Sequence, residues 1–237
     1  MTARLLSDIE YNYKTICENI AKSAELSGRK YEDITFLAAT KTVEAEFINY
    51  AISLGLDHIG ENRVQELLAK YDSYDLSNTK LHMIGHLQSN KVRQIVGKVD
   101  MIESVDSIKL AKEISDQSLK RNVTTDILVE VNIGGEESKS GTSPDSLEEL
   151  LCQIAELPKV KVCGLMTIPP ICENKQKICR YFENMRKLFI DISSKKIDNI
   201  SMNVLSMGMS DDYMEAISEG ATMVRIGSAL FGARNYN

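Results

Sequence analysis

Phe36-Leu37-Ala38-Ala39-Thr40-Lys41-Thr42 is the stretch on which the reading of the chain turns. It begins as an unbroken apolar run and ends in a lysine. Apolar runs with no polar alternation suit strands covered on both faces, as in a parallel sheet wrapped by helices. Such a strand has a buried body and an open C-terminal mouth, and Lys41 falls at that mouth. Two readings of Lys41 stand at this point. It leaves the sheet for water, as most lysines at strand ends do, or it is an amine held at an apolar rim. Partial desolvation there would favour its neutral, nucleophilic form, which imine chemistry requires.

Outward from this stretch, apolar and amphipathic segments alternate. Residues 4–26 read as an amphipathic helix carrying Leu5, Ile9, Ile16, Ile20 and Ala24 on one stripe, stopped by Ser27-Gly28. Strands are expected at 34–40, 57–60, 81–85, 101–105, 125–133, 160–168, 202–207 and 223–227. Helices are expected at 44–54, 62–71, 91–96, 107–120, 144–157, 174–193 and from a Ser210 cap to Glu219. The alternation runs without a linker, repeat or low-complexity segment. It predicts a single α/β domain over residues 1–237, a (β/α)₈ TIM-type barrel with an extra N-terminal helix. A doubly wound open sheet is the alternative.

Composition narrows the function. Of 237 residues, 43% are hydrophobic and 26% charged, ordinary for a globular protein. A formal charge of −6, 6% aromatics and no tryptophan argue against nucleic acid as a partner. The five cysteines, Cys17, Cys152, Cys163, Cys172 and Cys179, form no Cys-x-x-Cys pair and predict reduced thiols. The three histidines are too scattered for a metal site. Asp8 and Glu10 near the start, with no apolar segment of membrane length, lead us to expect a cytoplasmic protein without a membrane partner.

In a barrel all strand C-termini share one mouth. Lys41, Glu61-Asn62, His86, Asn132, Met166-Thr167, Ser206-Met207-Gly208 and Arg225 to Ser228 therefore belong together. Loops after strands seven and eight are the habitual phosphate site of this architecture, and both carry glycine and serine here. Asp211 and Asp212 would oppose an anion and are expected to face away. Arg225 sits inside an apolar strand and needs either a ligand acceptor or an ion-pair partner. His58 and His82 read as satisfied structural groups, and His86 as one that orders loop backbone. Ser138-Lys139-Ser140 reads as a solvated loop or a basic lip, and Met166, Met207 and Met209 as core filler.

An amine nucleophile, a phosphate corner and an inward arginine describe a pocket for pyridoxal 5′-phosphate. Ala38-Ala39-Thr40-Lys41-Thr42, Gly60-Glu61-Asn62, Ile84 to Lys91, Glu137 to Gly141, Gly164 to Pro169, Leu205 to Asp212 and Val224 to Gly232 resemble, in order, the pyridoxal phosphate homeostasis protein family. Thr40 stands where the family more often has serine. The resemblance implies the type III barrel of pyridoxal phosphate proteins without the C-terminal β domain of alanine racemase. It implies that Lys41 holds the cofactor as an aldimine, and that Ser206, Gly208, Gly227 and Ser228 surround the phosphate, with backbone contacts from Met209 and Ser210. Arg225 would face the pyridine nitrogen and Asn62 the ring or its hydroxyl. The implied role is intracellular vitamin B6 homeostasis, as carrier or buffer without robust catalysis and with pyridoxal-phosphate-dependent apo-enzymes as partners. A racemase is the alternative. Racemisation needs an acid/base group on each face of the imine, and the tyrosine-bearing second domain of alanine racemase has no counterpart here. Without that domain's dimer contact, a monomer is expected. A lyase using Lys41 in the manner of class I aldolases would leave Arg225 unexplained.

Overall fold

The computed structural model describes residues 5–136, 139–172 and 174–232. Eight parallel strands close into a barrel in chain order. They are β1 (Thr35–Ala39), β2 (His58–Glu61), β3 (Lys80–Met83), β4 (Met101–Val105), β5 (Thr125–Glu130), β6 (Val160–Met166), β7 (Ile200–Ser206) and β8 (Met223–Ile226). Around them run α1 (Leu6–Leu26), α2 (Ala45–Ser53), α3 (Val64–Lys70), α4 (Val92–Ile95), α5 (Ile108–Arg121), α6 (Leu147–Ala155), α7 (Lys175–Lys195), α8 (Tyr213–Ser218) and α9 (Ser228–Phe231). The barrel prediction holds, and the open-sheet alternative is excluded by the pairing of β1 with β8.

That pairing follows from the opening stretch. Phe36, Leu37 and Ala38 are buried and lie beside Val224, Arg225 and Ile226. The ring closes only because both edge strands are apolar enough to be covered on each face. The extra helix α1 buries Ile9, Ile16, Ile20 and Ala24 against α8, α9 and α2. Asn12 Nδ2 donates to the Leu230 carbonyl at 3.1 Å, and Arg29 Nη1 to that of Ala221 at 2.7 Å. The helix and the residues just after it thus fasten α9, which follows β8, and the turn between α8 and β8.

The differences from expectation are local. β5 stops at Glu130 because Val131 makes a single bridge to Thr142 of the next loop. The stretch 91–96 holds a single α-helical turn, Val92–Ile95, entered from a 3₁₀ turn at Ser89–Lys91. β7 starts at Ile200, earlier than the apolar pattern suggests, because Ile200 pairs with Val162 while its neighbours remain partly exposed. No helix of the described residues is long and apolar enough to cross a membrane.

Gly164 marks the tightest point of the ring. A Cβ there would stand 1.8 Å from the Val204 carbonyl oxygen on β7. The pairing shifts register on both sides of this position. Gly164→Ala should therefore destabilise the protein by about 2 kcal/mol or more, since backbone cannot yield as a flexible side chain does. Urea midpoints of the two proteins check this; a change below roughly 0.5 kcal/mol, the usual scatter of neutral surface changes, would contradict it.

Candidate functional site

One cavity at the C-terminal mouth, about 190 Å³, collects most of the expected residues. Lys41, Asn62, Met209, Ser210, Arg225, Gly227 and Ser228 all line it. Lys41 arrives from the turn after β1, Asn62 from the end of β2, Arg225 from β8 itself, and the rest from the segments after β7 and β8. The register of β1 against β8 explains the meeting: Ala38 pairs with Ile226, so the next residues of each strand, Ala39 and Gly227, emerge side by side. A Cβ on Gly227 would meet the Ala39 carbonyl oxygen at 3.1 Å.

The corner expected to take a phosphate is drawn by two amides. The N–H groups of Gly227 and Ala229 both donate to Ser210 Oγ, at 3.1 and 3.2 Å. Two backbone donors converging on one oxygen at a cavity wall make an acceptor seat of the kind a phosphate oxygen fills. Ser210 is thereby taken from the capping role expected of it. α8 begins at Tyr213 with Asp212 in the cap position. Gly208 and Ser206 stand back from the lining. Gly208 is buried at φ +93°, and a Cβ would fall 2.5 Å from that of Ala216. Its carbonyl accepts the Arg225 N–H at 3.0 Å, so it sets the turn that aims the corner.

Ser206 belongs to a buried cage around Arg225. Its hydroxyl donates to Glu103 Oε2 at 2.7 Å and accepts from Arg225 Nη1 at 2.5 Å. Arg225 Nη2 donates to the Thr167 carbonyl at 2.8 Å, and Nη1 lies 3.9 Å from Glu103 Oε2. His82 Nδ1 is 2.7 Å from Glu103 Oε1. Taking a guanidinium out of water costs several kcal/mol unless it is paired and hydrogen-bonded. Burial accordingly pulls the Arg225 pKa down, while Glu103, Glu130 and Asp212 pull it back. Burial also pushes Glu103 up, but the His82 hydrogen bond and the charges of His82 and Arg225 outweigh it, so its carboxyl titrates below the usual range. The ion-pair reading of Arg225 is met, and the side chain also reaches the cavity. Two of its five N–H donors are engaged by Ser206 and Thr167.

Several expectations need correction. Met209 is not core filler: it is 36% exposed and lines the cavity, whereas Met166 and Met207 are fully buried. Asp212 does turn back, accepting the Met209 N–H, but Asp211 lines the cavity. His86 meets side chains rather than loop backbone, with Nδ1 3.5 Å from Ser140 Oγ and 3.9 Å from Asp106. His58 and His82 are satisfied as expected, by Asp57 and Glu103. Of the loop 138–140, Ser138 lies outside the described residues.

The sequence reading missed what lies beneath the Lys41 turn. Glu61 is fully buried, and its Oε1 accepts from Thr40 Oγ1, Lys70 Nζ and Tyr74 OH at 2.8, 2.7 and 2.6 Å. The buried atoms Glu61 Oε2 and Asn62 Oδ1 have no hydrogen-bond partner among the described residues. Asn62 lines the cavity, so an unmet acceptor there fits a ligand that brings a donor.

The comparisons with known proteins agree with this geometry. The family model for the N-terminal domain of alanine racemase matches residues 9–235. A pyridoxal phosphate homeostasis protein from Aquifex aeolicus is 46% identical over 221 residues, covering 93% of this chain and 96% of the relative. The structure of PipY from Synechococcus elongatus with pyridoxal phosphate bound superposes with a TM-score of 0.78 at 32% identity, covering 90% of this chain and 100% of that one. Alanine racemase from Corynebacterium glutamicum, at 14% identity and a TM-score of 0.70, covers 98% of this chain but only 62% of its own length, a likeness of fold. Barrel and mouth together define the class as proteins built on the alanine racemase N-terminal barrel. Within that class the chain belongs to the pyridoxal phosphate homeostasis protein family.

The mouth also predicts a pH signature. Glu130, at the end of β5, is raised to about 7, chiefly by burial and then by Asp106, with Arg225 opposing. A carboxyl whose folded pKa exceeds its unfolded one binds more protons when folded, so stability falls as pH rises from about 4.5 towards 7 and levels off above. The loss is on the order of 2 kcal/mol. Glu130→Gln should flatten that slope, so that urea midpoints at pH 5 and pH 8 draw together; an unchanged difference would contradict the assignment.

Proposed function

We propose that this chain binds pyridoxal 5′-phosphate at the barrel mouth, held through Lys41, and serves intracellular vitamin B6 homeostasis as a carrier or buffer without robust turnover. The observation that carries the reading is that Lys41, from the turn after the first strand, shares one cavity with Ser210, Gly227 and Ser228, where the Gly227 and Ala229 amides converge on the Ser210 hydroxyl. The name of the Aquifex relative and the cofactor in PipY point the same way.

When bound, this cofactor supplies an aldehyde that amines capture and a pyridine ring that can withdraw electrons. Lys41 is the amine within reach of the cavity. The Ser228 hydroxyl would be a donor for the phosphate, and so would the Gly227 and Ala229 N–H groups once a phosphate oxygen takes the place of Ser210 Oγ, while Gly208 and Ser206 act from behind the wall. Met209 and Ser210 close its rim. Arg225 keeps its protons at neutral pH, so it offers a hydrogen bond to the ring nitrogen without yielding a proton to it. An unprotonated ring withdraws electrons poorly, which restrains carbanion chemistry. No tyrosine stands among the described residues that line this cavity, and Tyr74 is buried and committed to Glu61. This arrangement gives no support to a two-base racemisation.

We take the functional unit to be the single domain 1–237, working as a monomer in the cytoplasm, with apo-enzymes that need the cofactor as its recipients. Titration with pyridoxal 5′-phosphate should turn the protein yellow, and borohydride should bleach the colour and leave the label on Lys41. Lys41→Ala should stay colourless while folding normally by circular dichroism. A wild type that gains no visible band, or a Lys41→Ala protein that gains the same one, would overturn the proposal.

A further inference from the structure

The turn that presents Lys41 is fastened from below by a second lysine. Lys70, at the end of α3, is only 15% exposed. Its Nζ lies 3.1 Å from the Thr40 carbonyl oxygen and 3.0 Å from that of Val43. These two carbonyls bracket Lys41 and Thr42. The same nitrogen is 2.7 Å from Glu61 Oε1 and 2.8 Å from Glu66 Oε1. Four acceptors thus surround the three N–H bonds of one ammonium. Glu66 also accepts the Thr42 N–H. Thr42 needs the help, because its φ of 61° is left-handed, a region that β-branched residues avoid. On the strand side, Thr40 Oγ1 is tied to Glu61 at 2.8 Å.

We infer that Lys70 is a positioning residue: it fixes the turn so that Lys41 is aimed for covalent capture, and it takes no part in docking the phosphate. This rests on the pyridoxal phosphate reading above. The separation comes from the geometry. The clamp is built from β2, α3 and the turn after β1. The anion seat is built from Ser210, Gly227 and Ala229, in the loops after β7 and β8. The two sets share no residue. In capture, the neutral Lys41 Nζ adds its lone pair to the aldehyde carbon. The carbon–oxygen bond then breaks, and the oxygen leaves as water with the two protons the amine carried. Only that step depends on where Nζ points, and a displacement of about 1 Å can cost such a reaction up to about a hundredfold.

The test uses the full chain and two probes, pyridoxal 5′-phosphate for capture and pyridoxine 5′-phosphate for docking, since the latter carries an alcohol in place of the aldehyde. Lys70→Met leaves the Glu61 carboxylate buried without its cation and can fail to fold, so Lys70→Met combined with Glu61→Gln is made beside it. In whichever folds, the rate of appearance of the visible band should fall about tenfold or more, while the dissociation constant for pyridoxine 5′-phosphate stays within about twofold. Equal weakening of both probes would show a merely structural residue, and no change in capture would show an idle one; either overturns the inference. A wild type that binds neither probe would bring down the cofactor reading itself, and this inference with it.

Discussion

Ring closure between the first strand and the last is the constraint on which the rest depends. Leu37 and Ala38 pair with Arg225 and Ile226, residues separated by almost the whole chain. Once those strands pair, the lysine after β1 and the glycine after β8 have to surface at the same rim. Neither helix packing nor loop conformation could bring them together otherwise. The apolar faces of β1 and β8 are therefore a functional requirement as well as a packing one. Covering them by helices on the outside is what permits a parallel edge to become a seam.

Closure creates a second problem, a guanidinium inside the ring. Arg225 occupies a β8 position whose neighbours Val224 and Ile226 are fully buried. The barrel answers with groups drawn from across its interior: Glu103 on β4, Ser206 on β7 and the Thr167 carbonyl beyond β6. His82 secures Glu103 from β3. The cage makes the charge tolerable and also makes it immobile, so one fixed cation faces the cavity. Rigid presentation of this kind suits a protein that holds a ligand in one pose, because the ordering cost is met when the protein folds.

Much of this was legible in the residues. The apolar run ending at Lys41 and the glycine–serine pairs in two loops indicated the barrel and the mouth where Lys41, Ser210, Gly227 and Ser228 meet, because strand burial and tight turns leave local marks. Arg225 was visible as a charge in an apolar strand. The same signal was present in Glu103 within Met101–Val105, in Glu130 within Thr125–Glu130 and in His82, and it would have exposed the cage had each been given a partner across the ring. Lys70 was hidden for a different reason. With Glu66 it forms an ordinary i,i+4 pair of a surface helix, and nothing local distinguishes that from a solvated face. Its burial and its grip on the Thr40 and Val43 carbonyls come entirely from tertiary placement. The role of Ser210 was misread for a related reason. A serine ahead of a helix reads as a cap, whereas two amides from the far end of the chain claim its oxygen.

The central claim is that a single small molecule bridges the seam, touching the Lys41 nitrogen at one end and the Gly227–Ala229 amides at the other. A crystal structure of the protein soaked with pyridoxal 5′-phosphate tests it most directly. The account predicts unbroken electron density from Lys41 Nζ through the ring to a phosphate within hydrogen-bonding distance of the Gly227 and Ala229 nitrogens. A phosphate seated elsewhere, or density that never reaches the lysine, would contradict it.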